Sequence, residues 1–167
     1  MAPESDAARF TDAFESLNDA IFRHCYYRVF DRERAVELAQ ETFLRTWRYL
    51  AAGREIQNLK AFLYRTADHL IIDEGRRATA TSLDAMHEAS GFEARSTDNP
   101  ALQADVALAV DLLERLDEPY RSAVIMRHID GLSPQEIATI TGESENVISV
   151  RIHRGLKQAH ECLPNLL

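Results

Sequence analysis

Asn146, Val150, His153, Arg154 and Lys157 fall on one face when residues 145–162 are laid on a 3.6-residue period. They bring together a carboxamide, an apolar side chain, an imidazole and two cations. That mixture suits nucleic acid: an amide or a small apolar group can meet base edges in a major groove, while Arg and Lys bind phosphate. The opposite face carries Ile148, Ile152, Gly155 and Ala159 and is fit for packing. The elements that position this helix are spelled out. Ser133 is a natural N-cap, Pro134 suits the first helical position, and Glu136 stands where a capping box wants a carboxylate. A short helix over 134–141 is predicted to meet Gly142, whose missing Cβ permits a left-handed turn, and Ser144 to cap the second helix, which Leu163-Pro164 stops. The pattern is a helix-turn-helix; the plainer reading is a tight pair of packed helices.

Other chemistry is thinly represented. His24-Cys25 and the set His153, His160 and Cys162 carry ligand atoms, but zinc needs ligands that converge in space. At helical spacing the histidines read as phosphate contacts or solvated side chains, and the two cysteines, Cys25 and Cys162, as packing residues. No metal or cofactor is expected. No paired carboxylates, nucleophile motif or glycine-rich phosphate loop is evident, so an enzyme is not expected either.

The chain has 167 residues, 46% hydrophobic, enough for one ordinary domain or two small helical ones. No apolar run is long enough to span a bilayer, and MAPESDAARF has neither a basic start nor an apolar core, which predicts a cytoplasmic protein without membrane insertion. A net charge of -8 runs against the basic footprint of a nucleic-acid binder. Its distribution removes most of the conflict: between Thr81 and Glu118 nine acids face only Arg95 and Arg115, a balance of -7, and the rest is close to neutral. Arg76-Arg77 and Arg151, Arg154, Lys157 form local basic clusters.

Periodic segments are helical throughout: roughly 7–29, 32–52, 58–75, 101–115 and 119–129, then the two helices of the motif. Residues 78–100, small and polar and closed by Asn-Pro, read as a flexible acidic linker. An all-α chain of two small domains, 1–77 and 101–167, is predicted. In AVELAQETFLRTWRYL, Val36, Ala39, Phe43, Trp47 and Leu50 form the expected buried stripe. Glu37, Gln40, Glu41 and Arg48 lie opposite, around an exposed Leu44. NLKAFLYRTADHLIIDEGRR is apolar on more than one side, with Leu59, Phe62, Leu63 and Leu70 on one face and Tyr64, Ile71 and Ile72 on another, so it is expected to sit centrally.

These two segments, the linker, and LDEPYRSAVIMRHIDGLSPQEIATITGESENVISVRIHRGLK together closely resemble bacterial extracytoplasmic function (ECF) sigma factors in order and spacing over almost the whole chain. The resemblance implies that the first domain is sigma region two and the second region four. It places contact with core RNA polymerase on Glu37, Leu38, Gln40 and Glu41, docked on the clamp helices of the largest polymerase subunit. It gives capture and opening of the minus-ten element to the loop Gly53 to Asn58 and the following helix, with Asn58, Lys60, Tyr64, Arg65, Arg76 and Arg77 as DNA contacts. In region four, Gln135, Ser149 and Arg151 join Asn146, Val150, His153, Arg154 and Lys157 on the minus-thirty-five element. Promoter DNA, core polymerase and an anti-sigma factor are the implied partners.

Two departures stand out. Val147-Ile148-Ser149-Val150-Arg151 replaces the Thr-Val-Lys-Ser-Arg run common in the recognition helix, implying a different preferred promoter. Asp68 stands where members often carry a basic residue, which implies weaker phosphate contact or a protein-binding surface. Two rivals remain: a helix-turn-helix regulator that never acts as a sigma subunit, which leaves Glu37, Gln40 and Glu41 unexplained, and a sigma mimic that titrates an anti-sigma factor.

Overall fold

A computed structural model describes residues 4–81 and 99–165; most of the predicted linker, residues 82–98, lies outside the described residues. All regular structure among the described residues is helical, in two compact units. The first holds α1 (Glu4–Val29), α2 (Arg32–Ala51) and α3 (Leu59–Thr81). The second holds α4 (Pro100–Glu114), α5 (Tyr120–Val124) running into a π turn (Ile125–Ile129), α6 (Pro134–Thr141) and α7 (Glu145–Cys162).

In the first unit α1 ends at Phe30, which takes a left-handed φ of 54°. The Asp31 side chain then accepts from the Arg34 N–H and starts α2. The buried side of α2 is Ala35, Leu38, Ala39, Thr42, Phe43, Thr46 and Leu50. This corrects the expected stripe: Val36 is exposed and Trp47 half-buried. The stripe is rotated because Thr42 and Thr46 are buried with their hydroxyls donating to the carbonyls of Leu38 and Thr42, one turn back, which satisfies them inside the core. As expected, α3 packs on both other helices, burying Ala61, Leu63, Tyr64, Ala67, Leu70 and Ile71, whereas Ile72 is exposed. It continues to Thr81, past the end expected at Gly75.

In the second unit Asn99 caps α4 and Pro100 begins it. The helix expected over 119–129 runs from Tyr120 to Ile129, its second half widened into the π turn, where the Asp130 N–H reaches back to Ile125 O at 3.0 Å. The capping box of α6 is complete, with Ser133 Oγ accepting from the Glu136 N–H and Glu136 Oε2 from the Ser133 N–H. Gly142 sits at φ 77°, and Ser144 caps α7. α7 lies so close to α5 that a Cβ on Gly155 would stand 2.4 Å from Val124 Cγ2. Gln158 Nε2 donates to Asp117 Oδ2 at 3.0 Å, tying α7 to the turn before α5. α7 is therefore fixed on a core of Leu113, Leu116, Val124, Ile137, Ile140 and Ile148.

Candidate nucleic-acid interface

On α7 the expected faces are observed. Ile148, Gly155 and Ala159 are buried, Ile152 is half-buried, and Asn146, Ser149, Val150, His153, Arg154 and Lys157 are exposed. Gln135 on α6 is exposed as well. Val150, 40% exposed, is a large apolar side chain left on an otherwise polar face. Arg151 differs from its neighbours: it donates to Glu143 Oε1 in the turn at 3.2 Å and is half-buried. Arg151 thus has a carboxylate partner within the motif, whereas Arg154 and Lys157 extend from the exposed face.

In the first unit the loop between α2 and α3 is held from several sides. Gly53, at φ 77°, closes α2, Ile56 is buried, and Arg9 Nη2 donates to the Ile56 carbonyl at 2.8 Å. Asn58 is exposed, but its Oδ1 accepts from the Ala61 N–H at 3.0 Å and caps α3. Lys60, Arg65, Arg76 and Arg77 are exposed. Arg65 and Arg76, three turns apart, lie close to one line along the helix. Tyr64 is not on this surface: it is 1% exposed with its ring edge-on to His24, 5.2 Å between centroids. It belongs to the apolar side of α3 that meets α1, so the contact assigned to it by resemblance is replaced by a packing role.

Asp68 is explained by the same packing. Its Oδ1 lies 3.0 Å from both His24 Nε2 and Arg28 Nη1. Burial acts to raise its pKa, but the hydrogen bonds and charges of His24 and Arg28 outweigh it and hold the carboxyl below its usual 3.8. The pairing joins α3 to α1 and gives this acid a structural role within the unit.

On α2, Glu37, Gln40 and Leu44 are exposed and Glu41 half-buried. Leu38 corrects the set: it is 6% exposed, because it belongs to the packed stripe, and it contributes only the floor of a groove of about 510 Å³ between α2 and α3. Three acids of the groove wall, Glu37, Glu41 and Glu74, already have partners on their own chain. Arg34 pairs with Glu37 and Glu74, and Arg45 Nε donates to Glu41 Oε1 at 2.6 Å. Sequence reading missed Arg9 and Glu143. The bond from Arg9 spans 47 residues and leaves no local periodic signal, and Glu143 looks like an ordinary turn residue. His153 and His160 are exposed and Cys162 half-buried, and among the described residues no group of three or more His, Cys, Asp or Glu is placed to hold a metal ion.

Comparison with known proteins accounts for both units. The model of Sigma-70 region 2 matches residues 13–81, and that of Sigma-70, region 4 matches residues 107–158. The chain is 28% identical to the ECF RNA polymerase sigma factor BldN of Streptomyces coelicolor (strain ATCC BAA-471 / A3(2) / M145), matching 99% of this chain and 63% of that protein. It is 31% identical to the ECF RNA polymerase sigma-E factor of Salmonella typhimurium (strain 14028s / SGSC 2262), over 77% of this chain and 71% of that one. In fold it is similar to the sigma factor RpoE, solved with the anti-sigma factor NepR from Bartonella quintana. The TM-score is 0.73 at 19% identity, covering 93% of this chain and 97% of that chain. With both sigma regions matched in order on the two helical units, the chain belongs to the ECF RNA polymerase sigma factors.

Proposed function

We propose that the chain is an alternative sigma subunit that binds core RNA polymerase and directs initiation at a two-part promoter. The observation that carries this reading is that one chain holds both a reading helix fixed on its own core and, in the other unit, an exposed acidic and amide face on α2 beside a braced loop. A helix-turn-helix regulator needs only the first. Core polymerase docks on Glu37, Gln40 and Glu41; the loop Gly53 to Asn58 with Lys60, Arg65, Arg76 and Arg77 takes the minus-ten element; Gln135 and the exposed side chains of α7 take the minus-thirty-five element. Opening is driven when an unstacked base finds a protein surface that compensates for lost stacking.

The domain division follows the same roles, with residues 1–77 as region two, 78–100 as the connection and 101–167 as region four. The chain makes no covalent chemistry of its own and works in the cytoplasm; among the described residues no helix is long and apolar enough to cross a membrane. An anti-sigma factor is a further partner, supported by the complex in which RpoE was solved. Run-off transcription with purified core polymerase and this chain as the sole specificity subunit tests the reading. Promoter-dependent transcripts are expected, and a chain that binds promoter duplex without supporting initiation would be a regulator instead.

A further inference from the structure

The side chains of the loop between α2 and α3 are not equally available. Gly53 has none, and the Arg54 guanidinium lies over the Tyr49 ring, 5.1 Å from its centroid. Ile56 is buried. The carboxamide oxygen of Asn58 is taken by the Ala61 N–H, 3.0 Å away. That leaves Glu55 and Gln57, both exposed. A carboxylate is repelled by the phosphates of a single strand and offers only acceptors. A carboxamide is neutral and sets a donor beside an acceptor, which complements the Watson–Crick edge of an extruded base.

The residue before Gln57 is fixed twice, by burial of the Ile56 side chain and by the Arg9 bond to its carbonyl. Arg9 is itself steadied by Asp6, 3.2 Å away on the same helix. A backbone anchored at that point presents the Gln57 amide in a settled position, and capture of a base then costs little further ordering of the protein.

We propose that Gln57 reads the base captured by this loop, and that Arg9 is the positioning residue that holds the loop in its reading shape. The proposal rests on the sigma-subunit reading above. It places one specificity determinant on a side chain that neither the helical periodicity nor the resemblance singles out.

The test uses holoenzyme formed with the full chain and a promoter library randomised across the minus-ten element, with transcripts sequenced. Gln57→Ala is expected to flatten preference at one position by at least about fivefold, leaving the minus-thirty-five preference unchanged. Gln57→Glu, an acceptor only, is expected to shift that same position towards bases that present an amino group. Arg9→Met is expected to relax this position and lower initiation, and Arg9→Lys, which still donates to a carbonyl, to recover most of both. Core affinity and hydrogen exchange in α2 and α3 should match wild type in all four variants.

Gln57 variants that initiate with wild-type preferences at every position would overturn the reading role. Arg9→Met that leaves this position unchanged would overturn the positioning role. A wild-type holoenzyme that starts no transcript from any library member would instead overturn the sigma-subunit reading, an outcome distinct from unchanged preferences.

Discussion

Gly155→Ala is the most informative single change to the recognition helix, because two opposed effects predict opposite signs. An exposed helical glycine gains about 1 kcal/mol on replacement by alanine. Here the added Cβ would lie 2.4 Å from Val124 Cγ2 and 3.2 Å from the Tyr120 carbonyl oxygen. Carbon atoms rest about 3.5–4.0 Å apart, so the methyl contact must open by more than about 1 Å. Val124 is buried and stiff at χ1, and the Tyr120 oxygen is backbone, so α7 has to lift from α5. Overpacking of this kind costs about 1–3 kcal/mol, which leaves a net loss of up to about 2 kcal/mol after the propensity gain. The only tryptophan, Trp47, lies in α2, so its fluorescence reports on the other unit. Hydrogen exchange of α7 amides in the full chain is the suitable assay, with exchange expected to be faster by up to about 30-fold. Adding Val124→Ala should remove much of the clash and give a non-additive double-mutant cycle. Slower exchange in the single variant would show that α7 is not packed as described.

Asp68→Asn should cost the first unit about 3–5 kcal/mol at neutral pH, since it leaves Arg28 buried beside a neutral group. The carboxyl titrates below its usual value when folded, so its contribution is present above about pH 4 and lost as pH falls through the folded pKa. Acid unfolding followed by Trp47 fluorescence should therefore be steeper in wild type than in the variant, and parallel curves would refute the pairing. Charge reversal at Glu37 and Glu41 should weaken core polymerase binding while changing stability by no more than about 1 kcal/mol, because their partners Arg34 and Arg45 are exposed; unchanged core affinity would place the docking surface elsewhere. Val150→Ser should relax preference at one thymine of the minus-thirty-five element by about 1 kcal/mol or more, as expected for loss of a methyl contact. Lys157→Ala should weaken all sequences alike and flatten the salt dependence. Identical base preferences for wild type and Val150→Ser in a binding-site selection would remove the methyl contact.

The helix-turn-helix was the most legible part of the chain because its signals are local: Ser133, Glu136, Gly142 and Ser144 each act within a turn or two of themselves, and α6 begins and ends, and α7 begins, where those residues place them. Legibility failed where long-range packing decided the outcome. The buried face of α2 includes two threonines that satisfy their hydroxyls on the helix backbone, so a search for apolar residues places the stripe one position off, on Val36. Asp68 looks like a surface group until α1 supplies His24 and Arg28, whereas the burial of Tyr64 follows the apolar face that the sequence pattern gives it and departs only from the contact the resemblance implies. Leu38 shows the limit of resemblance, since a residue in a segment proposed to dock can still face the core.

The central claim is that this one chain gives core polymerase its choice of promoter. The most direct measurement is sequencing of transcript 5′ ends made on genomic DNA by core polymerase alone and by core polymerase with this protein. New start sites are expected, preceded at constant spacing by two shared elements, with the upstream element altered by Val150→Ser and the downstream one by Gln57→Ala. The same set of ends with and without the protein would contradict the account.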